Sequence, residues 1–164
     1  MSIEFYEEYI ESNKAIIYKI CRAYTHSKLE FDDYFQEVCL QLWKSKEAYN
    51  HQSKLSTWVY RVTLNTCLSI IKSEKREVDT VEINESFDHH SDLEDTEAQE
   101  RLNTLYMGIR QLKKADRAII VLYLEDKSYQ EIAEIIGISM SNVGVKINRI
   151  KQQLKESIVW KSLI

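Results

Sequence analysis

Apolar residues along this chain recur at intervals of three and four and nowhere in sustained alternation, a pattern that predicts helices and no sheet. Ile16, Ile17, Ile20, Cys21 and Tyr24 form one such stripe, and Phe35, Val38, Cys39, Leu42 and Trp43 form a second. A third runs through Leu55, Trp58, Val59, Val62, Cys67, Ile70 and Ile71, on a helix expected over residues 55–73. The sharpest signal lies in residues 128–149, SYQEIAEIIGISMSNVGVKINR, which predict two short helices and a tight turn. Ser128 and Glu131 have the spacing of a capping box, and Gly137 offers the left-handed residue that ends many helices. Ser139 caps the next helix, whose Val143, Ile147, Ile150 and Leu154 form one buried stripe. This is the pattern of a helix-turn-helix, which places its second helix in a DNA groove. Capped helical hairpins also occur in proteins that never touch DNA, so the rest of the chain has to decide.

The faces left over by the stripes carry the candidate chemistry. On the second helix Asp33, Gln36, Glu37 and Leu40 share a face turned away from the core, a leucine among acids and amides that suits a protein partner. On the third, Arg61, Asn65, Leu68 and Lys72 point outward, with Lys54, Ser56 and Thr57 near its start. That surface suits a nucleic-acid backbone and offers amide and hydroxyl groups to bases; a solvated basic face would look the same. On the helix after Ser139, the side chains suited to bases and phosphates are Ser141, Asn142, Lys146 and Arg149.

Composition agrees with an all-helical chain: 164 residues include no proline and three glycines. No run of about 18 apolar residues is present, and the acidic start lacks a basic, apolar leader, so a cytoplasmic protein is expected. Cys21, Cys39 and Cys67 each sit on an apolar helix face, as reduced core cysteines do, and neither they nor His26, His51, His89 and His90 have metal-site spacing. No phosphate-cradling glycine loop and no nucleophile paired with a base is written here, so no enzyme, cofactor or metal is expected.

A net charge of −4 is unusual for a free-standing DNA binder, but its distribution matters more. Residues 77–100 hold ten Asp or Glu and no Lys or Arg, whereas residues 44–76 hold seven basic residues against two acidic. From Ser141 onward there are five basic residues and one acidic. Two basic blocks flank one acidic stretch, and residues 78–96 read as a linker between helical units at 1–77 and 97–164. Such a chain would bind DNA weakly alone and better when a partner supplies affinity.

DDYFQEVCLQLWKSKEAYN, followed by KLSTWVYRVTLNTCLSIIKSEKR, resembles the region-two domain of the extracytoplasmic-function (ECF) group of bacterial RNA polymerase sigma factors, in the sigma-70 family. SYQEIAEIIGISMSNVGVKINRIKQQL resembles their region-four domain, in the family's order and separation. The resemblance implies a dissociable subunit of core RNA polymerase that directs it to a promoter subset and assists promoter melting. Asp33, Gln36, Glu37 and Leu40 would dock on the clamp helices of the largest polymerase subunit. The loop at residues 49–54 and the helix after it, with Asn50, Lys54, Ser56, Thr57, Arg61, Asn65 and Lys72, would recognise the minus-ten element and capture an unstacked base. Trp58 fits a family position and would support that loop. Ser139, Ser141, Asn142, Val145, Lys146 and Arg149 would meet the minus-thirty-five element in the major groove. The acidic linker would thread toward the RNA exit path. An anti-sigma factor, often membrane-bound in this group, is a further expected partner beside promoter DNA.

The chain departs from the family pattern at Gly144, where Lys or Arg is usual, at Asn142, often Thr, and at Lys113 and Lys114, where proline commonly precedes a helix. A helix-turn-helix regulator acting without polymerase is the alternative reading. It accounts for the second motif but not for the first.

Overall fold

The computed structural model describes residues 1–74 and 96–157, all of whose regular structure is helical. The acidic stretch expected as a linker lies outside the described residues, except Thr96, which opens a helix.

The chain starts in a helical segment that the apolar spacing did not predict. Ser2 caps α1 (Ile3–Phe5), which runs through a π-helical turn (Tyr6–Ile10) and a 3-10 turn (Glu11–Asn13) into α2 (Lys14–Ala23). Phe5 and Ile10 are buried, and the Phe5 ring stacks on Tyr9 at 4.4 Å and meets Trp43 edge-on at 5.0 Å. The irregular turns rotate these anchors inward, so they do not keep the spacing of a straight helix. Next come α3 (Lys28–Ser45) and α4 (Leu55–Glu74). Ser27 caps α3 by accepting from Glu30 N at 3.1 Å, while the Glu30 carboxylate accepts from His26 N at 3.2 Å. Ile17, Ile20, Val38, Leu42, Val59 and Cys67 are fully buried where α2, α3 and α4 meet.

The core side of α4 is broader than its apolar stripe. Thr57, Tyr60, Thr63, Leu64 and Thr66 are buried, whereas Trp58, Val62, Ile70 and Ile71 are half-buried. The helix packs against α2 and α3 and also against a helix of the second unit, so polar positions are covered as well. Thr63 and Thr66 tolerate this because their hydroxyls donate to Val59 O and Val62 O at 2.8 and 2.7 Å.

The second unit holds α5 (Thr96–Arg110), α6 (Lys114–Leu124), α7 (Tyr129–Ile136) and α8 (Met140–Glu156) around Ile109, Ile119, Leu122, Ile132, Ile147 and Ile150. It docks on the C-terminal end of α2. Arg22 O accepts from Arg110 Nε and Nη2 at 3.3 and 3.1 Å, and Ala23 O accepts from Arg117 Nη1 at 3.3 Å. The Tyr24 hydroxyl donates to Lys114 O and accepts from Ala118 N. A helix C-terminus leaves carbonyls without intrahelical partners and carries partial negative charge, so cations from another element are well placed there. Burial lowers Arg110 to about 10.

Cys21, Cys39 and Cys67 are free thiols; Cys21 and Cys67 are buried, and the neighbouring Cys67 together with burial raises the Cys21 pKa. Among the described residues no helix is long and apolar enough to cross a membrane, and no His, Cys, Asp and Glu cluster could hold a metal ion.

His26 sits beside this junction, where burial and then the charges of Arg110 and Arg117 lower its pKa from 6.5. The unfolded chain therefore binds the His26 proton more readily, and the stability this group contributes is complete above about pH 6.5 and is lost as pH falls. Urea unfolding between pH 5 and 7 is expected to give lower stability on the acid side, with a weaker pH dependence in His26→Gln.

Candidate polymerase and nucleic-acid interfaces

The helix-turn-helix forms from the signals that predict it. The Ser128 hydroxyl accepts from Glu131 N at 3.1 Å, though the Glu131 carboxylate turns to Lys127 at 3.9 Å. Gly137 adopts φ 86°, and its N–H donates to Ala133 O at 2.8 Å. Ser139 accepts from Asn142 N at 3.2 Å, and its hydroxyl is thereby occupied as a cap. Val143, Ile147, Ile150 and Leu154 are buried. Opposite them Ser141, Asn142, Val145 and Asn148 are exposed, Val145 at 65%.

Lys146 and Arg149 are placed differently from their expected free exposure. Both flank the buried stripe and reach Asp116 on α6, Lys146 Nζ at 3.6 Å from Oδ1 and Arg149 Nη2 at 3.3 Å from Oδ2. Arg149 stays half-exposed and Lys146 less so.

The loop between α3 and α4 is built by its own polar groups. Tyr49 OH donates to Ser53 O at 2.6 Å, Asn50 Oδ1 accepts from Gln52 N at 3.2 Å, and His51 takes the left-handed conformation at φ 60°. The Tyr49 ring lies against Trp58 at 5.4 Å, and Tyr9 backs Trp58 at 6.0 Å. Beside it opens a cleft of about 640 Å³ lined by Asn50, Gln52, Trp58, Arg61, Asn65 and, from the second unit, Glu134. Arg61 is half-buried and donates through Nη2 to Glu134 O, so it belongs to the junction as well as to the cleft. Lys54 and Asn65 are exposed and Ser56 half-buried, but the expectation for Thr57 needs correction. It is 3% exposed, turned into the core within the first turn of α4, and out of reach of a ligand here. Lys72 is exposed and does not line the cleft, lying about 10 Å further along the axis than Asn65.

On α3, Asp33 and Gln36 are exposed, Leu40 is 40% exposed, and Glu37 accepts from Gln41 Nε2 at 2.9 Å. The four lie on one face, which continues into an acidic groove between α3 and α4 lined by Glu30, Asp33, Glu37 and Glu74. Burial raises the pKa of Glu30 there.

The family profile for sigma-70 region 2 matches residues 9–77, and that for sigma-70 region 4 matches residues 102–154. The chain belongs to the sigma-70 family, in its ECF group. It is 26% identical to the ECF RNA polymerase sigma factor SigW of Bacillus subtilis (strain 168), over 93% of this chain and 88% of that one. It is 25% identical to the ECF RNA polymerase sigma-E factor of Haemophilus influenzae, over 80% of this chain and 76% of that one. Two solved structures share the fold. RpoE from Bartonella quintana, in complex with the anti-sigma factor NepR, superposes with TM-score 0.73 at 20% identity over 94% and 96% of the chains. CnrH, in complex with the cytosolic domain of CnrY, gives 0.68 at 15% identity over 94% and 87%. The protein is an alternative sigma factor that directs transcription initiation.

Three parts of these candidate surfaces were not expected from the sequence. Asn148 shares the exposed face of the region-four helix and was readable from its spacing to Val145. Asp116 and Glu134 lie 33 and 73 positions from Arg149 and Arg61, and no local pattern joins them.

Gly144 of the region-four helix faces the Tyr129 ring, and a Cβ added there would lie 3.4 Å from Tyr129 Cε2, an ordinary contact. Gly144→Ala is therefore expected to raise stability by about 0.5–1 kcal/mol in denaturant unfolding. A loss of stability would mean that the helix needs the glycine for closer packing.

Proposed function

We propose that this sigma factor joins core RNA polymerase through the exposed face of α3 and reads promoter DNA at two surfaces, the cleft beside α4 and the outer face of α8. The observation that carries the reading is that accessible polar groups collect on these faces, opposite the buried stripes. Asp33, Gln36, Glu37 and Leu40 form a small apolar contact rimmed by polar groups, as a docking patch requires. Asn50, Lys54, Ser56, Arg61 and Asn65 surround a cleft with room for an extruded base of the minus-ten element, and Lys72 extends the surface for backbone contact. Opening a base step costs a few kcal/mol, which binding the extruded base offsets. Ser141, Asn142, Val145 and Arg149 suit the major groove of the minus-thirty-five element, with Ser139 holding the helix start and Lys146 at its flank.

Polymerase supplies affinity in this division of labour, which reconciles a net charge of −4 with DNA binding. The protein acts in the cytoplasm as a non-catalytic specificity subunit and needs no cofactor. Because Arg61 is bonded to Glu134 O, α7 has to part from α4 before a DNA strand gains the whole cleft. A partner that holds the units together would keep the protein silent. RpoE was captured with the anti-sigma factor NepR, and an anti-sigma partner is proposed here as well.

The test is run-off transcription by purified bacterial core polymerase on a fragmented source genome, with wild type, Asp33→Arg and Val145→Glu. Both positions are exposed, so neither substitution disturbs the core. Wild type is expected to give specific transcripts. Asp33→Arg should lose polymerase binding roughly tenfold or more, and Val145→Glu should keep it while losing the transcripts. Sequence-specific binding by the protein alone, without polymerase association, would instead identify an independent regulator.

A further inference from the structure

Asp116 is a buried carboxylate whose two oxygens each take one cation of the helix that faces DNA. Its side chain is 1% exposed, and it lies in the first turn of α6, where the helix dipole favours a negative charge. Lys146 and Arg149 come from α8, Arg149 with 45% of its side chain exposed and Lys146 with 25%. A buried carboxylate stripped of partners is strongly disfavoured, so the pairings hold both side chains in place. A loose arginine on a helix can neutralise any phosphate it reaches. One whose Nη2 is committed to a fixed carboxylate presents its planar fork in a set orientation, which bidentate reading of a base edge requires. The same carboxylate offsets charge that would otherwise attract DNA of any sequence.

We propose that Asp116 is a positioning residue for promoter selection, orienting Arg149 and Lys146 toward the minus-thirty-five element and holding down non-specific attraction. The proposal rests on the reading of α8 as the minus-thirty-five helix. It predicts that the loss of one carboxylate remote from the exposed face weakens discrimination while strengthening non-specific binding.

The experiment uses holoenzyme reconstituted from core polymerase and the full chain. It is offered a duplex library randomised at the minus-thirty-five position, and a random-sequence duplex serves for salt titration. Wild type, Asp116→Asn, Asp116→Glu and Arg149→Ala are compared, together with the Asp116→Asn, Arg149→Ala pair. Asp116→Asn is expected to lower enrichment of the preferred element about tenfold. It should also steepen the salt dependence of random-duplex binding by about one counterion. Asp116→Glu, which keeps the buried charge, should recover part of the discrimination, and Asp116→Asn should add little to Arg149→Ala because both remove one interaction. Unchanged enrichment and salt slope, with only a lower melting temperature, would overturn the proposal and leave Asp116 a structural ion-pair partner. If Asp116→Asn does not fold, Asp116→Glu decides: altered base preference at unchanged polymerase affinity supports the proposal, and wild-type preference overturns it. A wild-type holoenzyme that enriches no minus-thirty-five sequence would overturn the reading of α8, and this proposal with it.

Discussion

The end of α2 is where the two halves of this sigma factor become one body. Its last carbonyls, on Arg22 and Ala23, accept from the guanidinium groups of Arg110 and Arg117, while Tyr24 bonds to both Lys114 and Ala118. Groups that a lone helix would leave to water are satisfied by the second unit, on the side where the helix dipole welcomes positive charge. Once α5 and α6 are fixed there, α7 comes to lie on α4, and Arg61 meets Glu134 across the cleft. The junction thus sets how much of the region-two surface is open before any partner arrives.

The same arrangement explains why α4 is so rich in buried hydroxyl groups. A helix packed on two sides needs side chains that fill space without leaving unsatisfied polar atoms, and threonine meets this by bonding to its own preceding turn. It leaves a narrow exposed strip on α4. Charge is divided in the same way, with exposed acids on α3 and basic and amide groups around the cleft and on α8. At α8 the buried Asp116 offsets part of that positive charge from within.

What was legible in the sequence was local. Ser128, Gly137 and Ser139 act within a turn of their own positions, and each bonds as its spacing implies. The stripes on α2 and α8 were equally plain because a single buried face repeats with the helix period. Thr57 was misplaced because a threonine near a helix start reads as surface chemistry until a second packing partner is known. The N-terminal segment was missed because its π and 3-10 turns break the period that would have revealed Phe5 and Ile10. The ties of Arg61 and Arg149 to partners far along the chain depend on tertiary packing, for which local spacing has no sign.

The capped end of α2 holds both units together in the free protein. Small-angle scattering of the isolated full-length chain tests it most directly. The expected distance distribution has one maximum, that of a single closely packed particle. Two maxima, from lobes moving independently about residues 75–95, would contradict it.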